Sequence, residues 1–247
     1  AEVLDAEYDY FRLSLGGRSI TCRESLSDLT SAVAMSRCDD KRVTRRVLAQ
    51  GGVNTPAQLT VSCPAELKAF LQRHPRVVVK PARGEQGRGI SVDVQGLDAV
   101  TAAIEAARKH CDDVIVEELV AGQDLRIVVI DHQVVAAATR QPARVVGDGE
   151  SDLRTLIERH SRRRQAATHG ESRIPLDEET ERCVRLAGHT LDSILPAGTV
   201  LSVRKTANLH TGGTIHDVTA QLHPHLREVA EKAPRPLDIP VVGLDFM

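Results

Sequence analysis

The chain has 247 residues, 41% of them hydrophobic and 27% charged, a composition typical of one large or two small globular domains. Its 32 basic and 34 acidic side chains give a net charge of −2, which argues against a nucleic-acid binder and against a protein that adsorbs to acidic membranes. Aromatic residues make up only 2% of the chain, so the core is expected to be aliphatic, and no apolar run approaches the roughly 18 residues of a membrane span.

The five cysteines are widely spaced, odd in number and without a C-x-x-C pattern. This usage is typical of reduced thiols rather than of a disulfide framework or a zinc site, and it predicts a cytoplasmic protein. Basic charge is carried by 26 arginines and only six lysines, so a lysine beside a functional motif is more informative here than usual.

The first clear helix signal lies near the end of the N-terminal segment. Residues 1–38 are expected to form a connecting segment with short strands. Asp39 and Asp40 are suitable N-cap residues for a helix over 41–50, because an aspartate side chain accepts hydrogen bonds from the first free amides of a helix. Ser62 is expected to cap the next helix.

A glycine loop follows a short buried strand over 76–80. Gly84, Gly87 and Gly89 lie between two predicted strands, which fits neither a Rossmann fingerprint nor a Walker loop, since both of those lead into a helix. A loop of this kind can lay backbone amides over phosphates, and Lys80 would add a cation on a rigid strand. The alternatives are a plain glycine hairpin and a lysine that reaches solvent.

The segment after the next strand is rich in acids. A strand over 114–116 runs into an extended connector whose backbone groups can pair with an adenine edge. Glu117 and Asp124 are seven residues apart and can bracket a ribose. The alternative is an acidic turn between domains, and a domain boundary is predicted near 117–122.

The second half mixes hairpins and helices, which predicts an α+β fold of two lobes. The expected elements are a hairpin over 125–130 and 134–139, helices over 153–165 and 177–191, and strands over 200–203 and 241–244. We interpret Asp177 as part of an acidic first helical turn. The arginines at 162–164 are interpreted as a solvated surface in the loop region between the two helices, with contact to an acidic substrate as the alternative.

Two further segments carry candidate chemistry. Residues 204–214 form a polar loop with glycines, dense in donors, that can hold an anion such as a phosphate. Asp245 follows an apolar strand, where a carboxylate is a natural Mg²⁺ ligand. The alternatives are a solvated loop and a structural carboxylate.

Taken together, these segments resemble the ATP-grasp superfamily, in whose order they occur. The most specific matching stretches are 36–41, 141–151 and 206–213, which are similar to the ATP-grasp domains of N-acetylglutaminylglutamine synthetase and cyanophycin synthetase. Gln141 and His210 favour the former. The resemblance implies mixed or antiparallel sheets in two lobes that clasp ATP, with a connecting segment over 1–38, an N-lobe over 39–116 and a C-lobe over 117–247.

The resemblance also implies a role for each candidate residue. Phosphate contacts are implied for Lys41, Lys80, Gly84, Gly87 and Gly89. Adenine and ribose contacts are implied for Glu117, Glu118, Val120 and Asp124. Contacts to the transferring phosphoryl group and the acyl substrate are implied for Arg126, Arg140, Arg204, Thr211, Gly212 and Gly213. A Mg²⁺ contact is implied for Asp245.

The activity implied by the resemblance is ATP-dependent carboxylate–amine ligation through an acyl phosphate, with ATP and Mg²⁺ as cofactors and N-acetylglutaminylglutamine as product. Its expected partners are small amino-acid or acyl-amino-acid substrates, an upstream acetyltransferase region and a second copy of the chain. The family pairs Asp245 with a downstream Glu-x-Asn that this sequence does not contain, so the implied metal site is incomplete as it stands. The alternatives are a cyanophycin-synthetase-like ligase and an ATP-binding module without catalysis.

Overall fold

The structure, a computed structural model, describes residues 1–84 and 88–247. Its strands are β1 (Glu2–Asp5), β2 (Tyr10–Leu15), β3 (Arg18–Arg23), β4 (Leu26–Ser27), β5 (Gln58–Thr60), β6 (Arg76–Pro81), β7 (Ser91–Gln95), β8 (Val114–Glu118), β9 (Leu125–Ile130), β10 (Gln133–Gln141), β11 (Arg144–Val146), β12 (Val200–Ser202), β13 (Thr214–Asp217) and β14 (Val241–Phe246). Its helices are α1 (Ala32–Asp39), α2 (Lys41–Gln50), α3 (Pro64–Arg73), α4 (Leu97–Arg108), α5 (Leu153–Ala167), α6 (Glu178–Leu186), α7 (Pro224–Lys232) and α8 (Pro234–Leu237).

Two compact units divide the described chain. Unit 1 contains residues 1–55, 125–138 and 217–246, and unit 2 contains residues 56–124, 139–216 and Met247. None of these divisions coincides with the predicted domain boundaries at 38/39 and 116/117, which stay predictions. No helix of the described residues is long and apolar enough to cross a bilayer.

The α+β prediction with antiparallel sheets is confirmed. The strand orders are β1-β2-β3-β4, β5-β8-β6-β7, β13-β10-β9-β14 and β11-β12. The N-terminal segment, where the sequence signals were weak, is a four-stranded sheet. Its register places Leu13 opposite Ile20 and Phe11 opposite Cys22, so apolar side chains share one face.

Three local predictions were wrong for identifiable reasons. Helix α3 begins at Pro64 with Cys63 as N-cap, because Ser62 uses its hydroxyl to donate to the Glu66 carboxylate at 2.8 Å. Helix α6 ends at Leu186, before the predicted end at 191, because Gly188 adopts a positive φ and ends the helix. Arg164 is neither in a loop nor simply solvated, since it lies in the last turn of α5 and donates hydrogen bonds within unit 2.

The sheet around β6 explains how a charged residue, Lys80, lies near the end of a buried strand. Val77 and Val79 point into a core shared with α3 and α4 and are fully buried. Side chains alternate along a strand, so Lys80 points to the opposite face. Strand β8 pairs with β6, and Glu117 lies opposite Val78. The Glu117 side chain therefore projects to the same face as Lys80. The strand pairing thereby places Lys80 and Glu117 diagonally across neighbouring strands.

A second core in unit 2 packs α5 and α6 against β11 and β12, with Ile157 and Leu195 fully buried within it. Arg204 follows Val203 at the edge of this core and is only 5% exposed. A buried guanidinium is costly unless it is paired. Asp177, the N-cap of α6, provides the partner at 2.5 Å, and the Thr180 hydroxyl accepts at 3.0 Å.

In unit 1, β9 lies between β14 and β10 and carries the buried residues Ile127 and Val129. Helix α7 packs against this sheet through Ala230. The register places Asp245 of β14 directly opposite Arg126 of β9. Opposed residues of an antiparallel pair project to the same face, so these two side chains are neighbours.

Asp177 serves two roles, and a substitution separates them. Asp177→Asn keeps the N-cap but leaves Arg204 without its counter-charge, so we expect a loss of about 2 kcal/mol in the free energy of unfolding. The value is below the roughly 4 kcal/mol of a fully buried pair because the Asp177 side chain is 46% exposed. Asp152→Asn, at the N-cap of α5, is the matched control and is expected to change stability by less than about 0.5 kcal/mol.

The same pair predicts a pH dependence. Burial would raise the pKa of Asp177, but the hydrogen bonds from Arg204 and the Thr180 amide, with the Arg204 charge, outweigh it and hold the pKa below its ordinary value. The stabilisation is therefore complete above about pH 5 and is lost as the pH falls through 4 and below. Urea unfolding at pH 7 and pH 3.5 should show the wild type approaching the Asp177→Asn variant at the lower pH. An unchanged difference would contradict this account.

Candidate active site

Lys80 is held by Glu117 on the polar face of its sheet, and Glu117 is in turn held by Gln58. Its ammonium group forms an ion pair with the Glu117 carboxylate, and both side chains are largely buried. Gln58 of β5 donates to the other Glu117 oxygen at 2.7 Å. The cation is therefore fixed at the end of β6 before any anion arrives, and Gln58 is a contact that the sequence patterns did not indicate.

Glu118, the last residue of β8, is tied to the chain that precedes β5. Its carboxylate accepts from the Ala57 amide at 2.8 Å and contacts His74 Nδ1 at 3.1 Å. Its own amide donates to the Ala57 carbonyl at 3.0 Å. A contact between the Glu118 N–H and adenine would require exchange of this bond. Val120 lies beyond β8, outside the strand ladder. The predicted adenine contacts stay predictions.

Asp124 and Arg140 form a two-pronged ion pair in unit 2. Arg140 Nε and Nη2 donate to the two Asp124 oxygens at 2.6 and 3.1 Å, and the Arg140 amide donates to the Asp124 carbonyl at 2.9 Å. A bidentate arginine–carboxylate pair fixes the guanidinium plane. The structure thus brings together a residue predicted at the ribose and one predicted at the transferring phosphoryl group.

Arg126 and Asp245 form the corresponding pair in unit 1, with Arg126 Nη1 donating to Asp245 at 2.8 Å. The guanidinium lies flat over Gly243 of β14. A Cβ atom on Gly243 would overlap the Arg126 guanidinium atoms. Because Gly243 has no side chain, the space over it stays open, and the Arg126 side chain crosses this space to reach Asp245.

Asp245 is also the predicted magnesium ligand. Within residues 1–84 and 88–247, no group of three or more His, Cys, Asp or Glu side chains is placed to hold a metal ion. Mg²⁺ usually keeps several waters and takes one or two carboxylates together with substrate phosphates. A single carboxylate is therefore a suitable protein ligand for a magnesium ion that nucleotide phosphates also hold.

The loop over 208–213 is closed by its own backbone. The amides of Thr211 and Gly213 donate to the Asn208 carbonyl at 3.2 and 2.8 Å, and the Gly212 amide donates to the Leu209 carbonyl at 3.2 Å. These are the amides predicted to face the transferring phosphoryl group. That role would require them to leave the loop carbonyls, and it stays a prediction.

The remaining candidates belong to two separate segments of the chain. Lys41 is the first residue of α2 and lies in unit 1, after the cap that Asp40 provides. Gly84 and Gly89 both have positive φ, and a Cβ on Gly89 would come within 2.6 Å of the His110 ring. Gly87 lies outside the described residues. The predicted convergence of Lys41 and Lys80 on one nucleotide stays a prediction.

Three contacts at these positions were missed at the level of sequence: Gln58 at Glu117, His74 at Glu118, and Asp177 at Arg204. Asp177 was interpreted only as part of an acidic first turn. The available signal was charge balance, because an arginine directly after an apolar strand needs a carboxylate partner if it is buried. Gln58 and His74 carried no comparable signal, since their partners are known only once β5, β6 and β8 are aligned.

Gly243→Ala tests the path of Arg126. The nearest atoms belong to the far end of a flexible side chain, and Gly243 has no positive φ, so the fold should tolerate the methyl group. We expect the free energy of unfolding to change by less than about 1 kcal/mol, because the exposed ion pair contributes little. A crystal structure of the variant should show the guanidinium displaced from Asp245. A guanidinium that keeps its 2.8 Å contact would refute the assignment.

Comparison with known proteins places this geometry in a family. A family model described as a RimK-like ATP-grasp domain matches residues 38–166. The chain is 34% identical over 245 residues to cyanophycin synthetase of Trichormus variabilis, covering 96% of this chain and 27% of that protein. It is 26% identical over 254 residues to the glutathione biosynthesis bifunctional protein GshAB of Desulfotalea psychrophila, covering all of this chain and 33% of the relative.

A solved structure gives the same result. The bifunctional glutathione synthetase from Pasteurella multocida superposes with a TM-score of 0.58 at 25% identity, covering 99% of this chain and 34% of that chain. The chain thus spans about a quarter to a third of the length of these relatives. The family model covers more than half of the chain, and it includes Lys80, Glu117, Asp124 and Arg140. The chain therefore belongs to the RimK-like ATP-grasp family.

Proposed function

We propose that the protein containing this chain is an ATP-dependent ligase that joins a carboxylate to an amine. The ligases of the ATP-grasp fold use ATP with Mg²⁺. The observation that carries the proposal is the position of Lys80, the penultimate residue of a buried strand beside the glycine loop and inside the segment that matches the family. A rigidly held ammonium group at that position suits the neutralisation of a polyphosphate.

The proposed chemistry needs activation of the carboxylate. Transfer of the γ-phosphoryl group of ATP to a carboxylate oxygen gives an acyl phosphate and ADP. The amine then attacks the acyl carbon, phosphate leaves, and the amine loses a proton to give the amide. The protein forms no covalent bond with the reactants during these steps. It orients the reactants and supplies positive charge where negative charge accumulates.

Paired cations suit this task. Lys80 and Arg140 are each held by a carboxylate that fixes the side chain in the absence of nucleotide. A cation already in place needs little reorganisation when phosphate oxygens approach. Mg²⁺, when bound with the nucleotide, would neutralise phosphate charge, and Asp245 is the residue of this chain proposed to hold it.

For the substrates, we propose an acylated amino acid as donor and an amino acid as acceptor, with N-acetylglutaminylglutamine as product. This choice is supported by Gln141 and His210, which lie in the stretches 141–151 and 206–213 that resemble N-acetylglutaminylglutamine synthetase. A polymer of the cyanophycin type is the second candidate, favoured by 34% identity to a cyanophycin synthetase. The upstream acetyltransferase region and a homo-oligomer remain predictions. Cytoplasmic location remains a prediction from the odd number and wide spacing of the five cysteines.

Phosphate release measures the activity directly. The protein containing this chain, supplied with ATP, Mg²⁺ and pairs of amino acids, is expected to release phosphate only when both a donor and an acceptor are present. N-acetylglutamine with glutamine is the expected pair, and an aspartate-containing primer with arginine tests the second candidate. Mass spectrometry of the product identifies the bond. ATP binding without phosphate release for any pair would overturn the ligase proposal in favour of a binding module.

The role of Lys80 is tested by nucleotide affinity. Lys80→Ala should weaken ATP binding about 100-fold, because a charged donor to the phosphates is lost (about 2.7 kcal/mol). Lys68→Ala, on the exposed face of α3, is the matched control and should leave the affinity unchanged. Titration calorimetry provides the measurement, and thermal unfolding confirms that both variants are folded. Equal affinities for wild type and Lys80→Ala would remove Lys80 from the site.

A further inference from the structure

Arg164 joins the end of α5 to two other segments of unit 2. Its Nε donates to the Ser172 hydroxyl at 2.9 Å, and its Nη2 donates to the Gly213 carbonyl at 2.7 Å. Gly213 ends the loop over 208–213, whose members the resemblance assigns to the phosphoryl group and the acyl substrate. One guanidinium therefore holds the connection after α5 and the candidate loop at the same time.

Ser172 extends this contact further into the loop. Its hydroxyl donates to the Leu209 carbonyl, and its side chain is 4% exposed. The next residue repeats the arrangement through the backbone, since the Arg173 amide donates to the His210 carbonyl at 3.1 Å. Three points of the loop, at Leu209, His210 and Gly213, are thus fixed by the segment that runs from Arg164 to Arg173.

Packing leaves the loop little freedom on this side. Gly212 has φ of +90°, and a Cβ there would overlap the Ile174 side chain. Ile174 is itself fixed, because its amide and carbonyl exchange hydrogen bonds with the buried Ser161 hydroxyl at 3.0 and 3.1 Å. The loop therefore lies directly against a segment that is anchored to the middle of α5.

We propose that Arg164 is a positioning residue that holds the loop over 208–213 in register for phosphoryl and acyl transfer. The proposal rests on the proposed function, since it assumes that this loop meets the reacting groups. Arg164 acts through Ser172 and the Gly213 carbonyl. Its planar fork carries several donors in fixed directions, so it can bridge two acceptors that the single ammonium group of a lysine cannot satisfy in the same geometry.

This role predicts that the loss of Arg164 lowers kcat and leaves the affinity for ATP unchanged. Loss of the bridge should displace the loop without touching Lys80 or its partner Glu117, because these two residues lie in the sheet β5-β8-β6-β7 and the loop belongs to no strand. Turnover should therefore fall while ATP affinity is retained. A displacement of about 1 Å at a reacting group costs on the order of 100-fold in rate, so a fall of that size in kcat is expected for Arg164→Gln.

The experiment compares Arg164→Gln, Arg164→Lys and Ser172→Ala with Arg163→Gln, an exposed neighbour on the same helix, in the protein containing this chain. Phosphate release gives kcat, calorimetry gives ATP affinity, and hydrogen exchange gives the protection of the amides of Thr211, Gly212 and Gly213. Arg164→Gln should speed exchange of these amides at least tenfold and lower kcat about 100-fold. Arg164→Lys should fall between it and the wild type, and Arg163→Gln should match the wild type.

Each outcome decides a separate question. A wild type that releases no phosphate overturns the proposed function, and the exchange data alone then decide whether Arg164 holds the loop. Unchanged exchange in a folded Arg164→Gln variant overturns the positioning role. A parallel fall of kcat, ATP affinity and melting temperature also overturns it, because a general loss of structure would explain all three. Ser172→Ala keeps the test available if Arg164→Gln does not fold, since it breaks the same bridge and should raise exchange in the same amides.

Discussion

Counter-charge is the physical requirement that organises the basic residues of this chain. A guanidinium or ammonium group that leaves water needs a carboxylate and fixed hydrogen bonds, or its desolvation cost is not recovered. Lys80, Arg140 and Arg204 are each largely buried, and each lies against an acid from another element: Glu117, Asp124 and Asp177. The acids set the direction in which each cation points. All three pairs lie within unit 2, so the positions of these cations are already determined within that unit.

The backbone provides these pairings through strand register. Glu117 reaches Lys80 because β8 pairs with β6, and Asp245 reaches Arg126 because β14 pairs with β9. Such contacts are separated by many residues in the chain, up to 119 between Arg126 and Asp245. Hydrophobic alternation is sufficient to place Lys80 on the polar face of its strand, but it contains no information on which strand lies beside it. Alternation therefore predicts the face, and only the sheet order identifies the partner.

The same distinction explains which predictions succeeded. Helix α2 and its Asp40 cap follow from a local signal, and the structure contains both. Ser62 carried an equally good local signal, yet its hydroxyl bonds to Glu66 and the helix begins later at Pro64. Arg164 was interpreted as one member of a solvated arginine run. Its acceptors, Ser172 and Gly213, follow it by 8 and 49 residues and come close to it only in the folded chain. Local chemistry was sufficient where the partner is adjacent in sequence and insufficient where folding supplies it.

The pairing of Arg204 with Asp177 also constrains how this chain can diverge. The acid lies at the start of α6 and the arginine lies 27 positions later, beyond β12. A lineage that shortened the intervening segment or lost α6 would leave the Arg204 guanidinium buried beside an aliphatic core without a counter-charge. Substitutions at the two positions should therefore be inherited together, with arginine retained only where the acid is present and an uncharged side chain replacing it elsewhere. Deletions in this part of the gene would accordingly be accepted in descendants that had already lost the arginine.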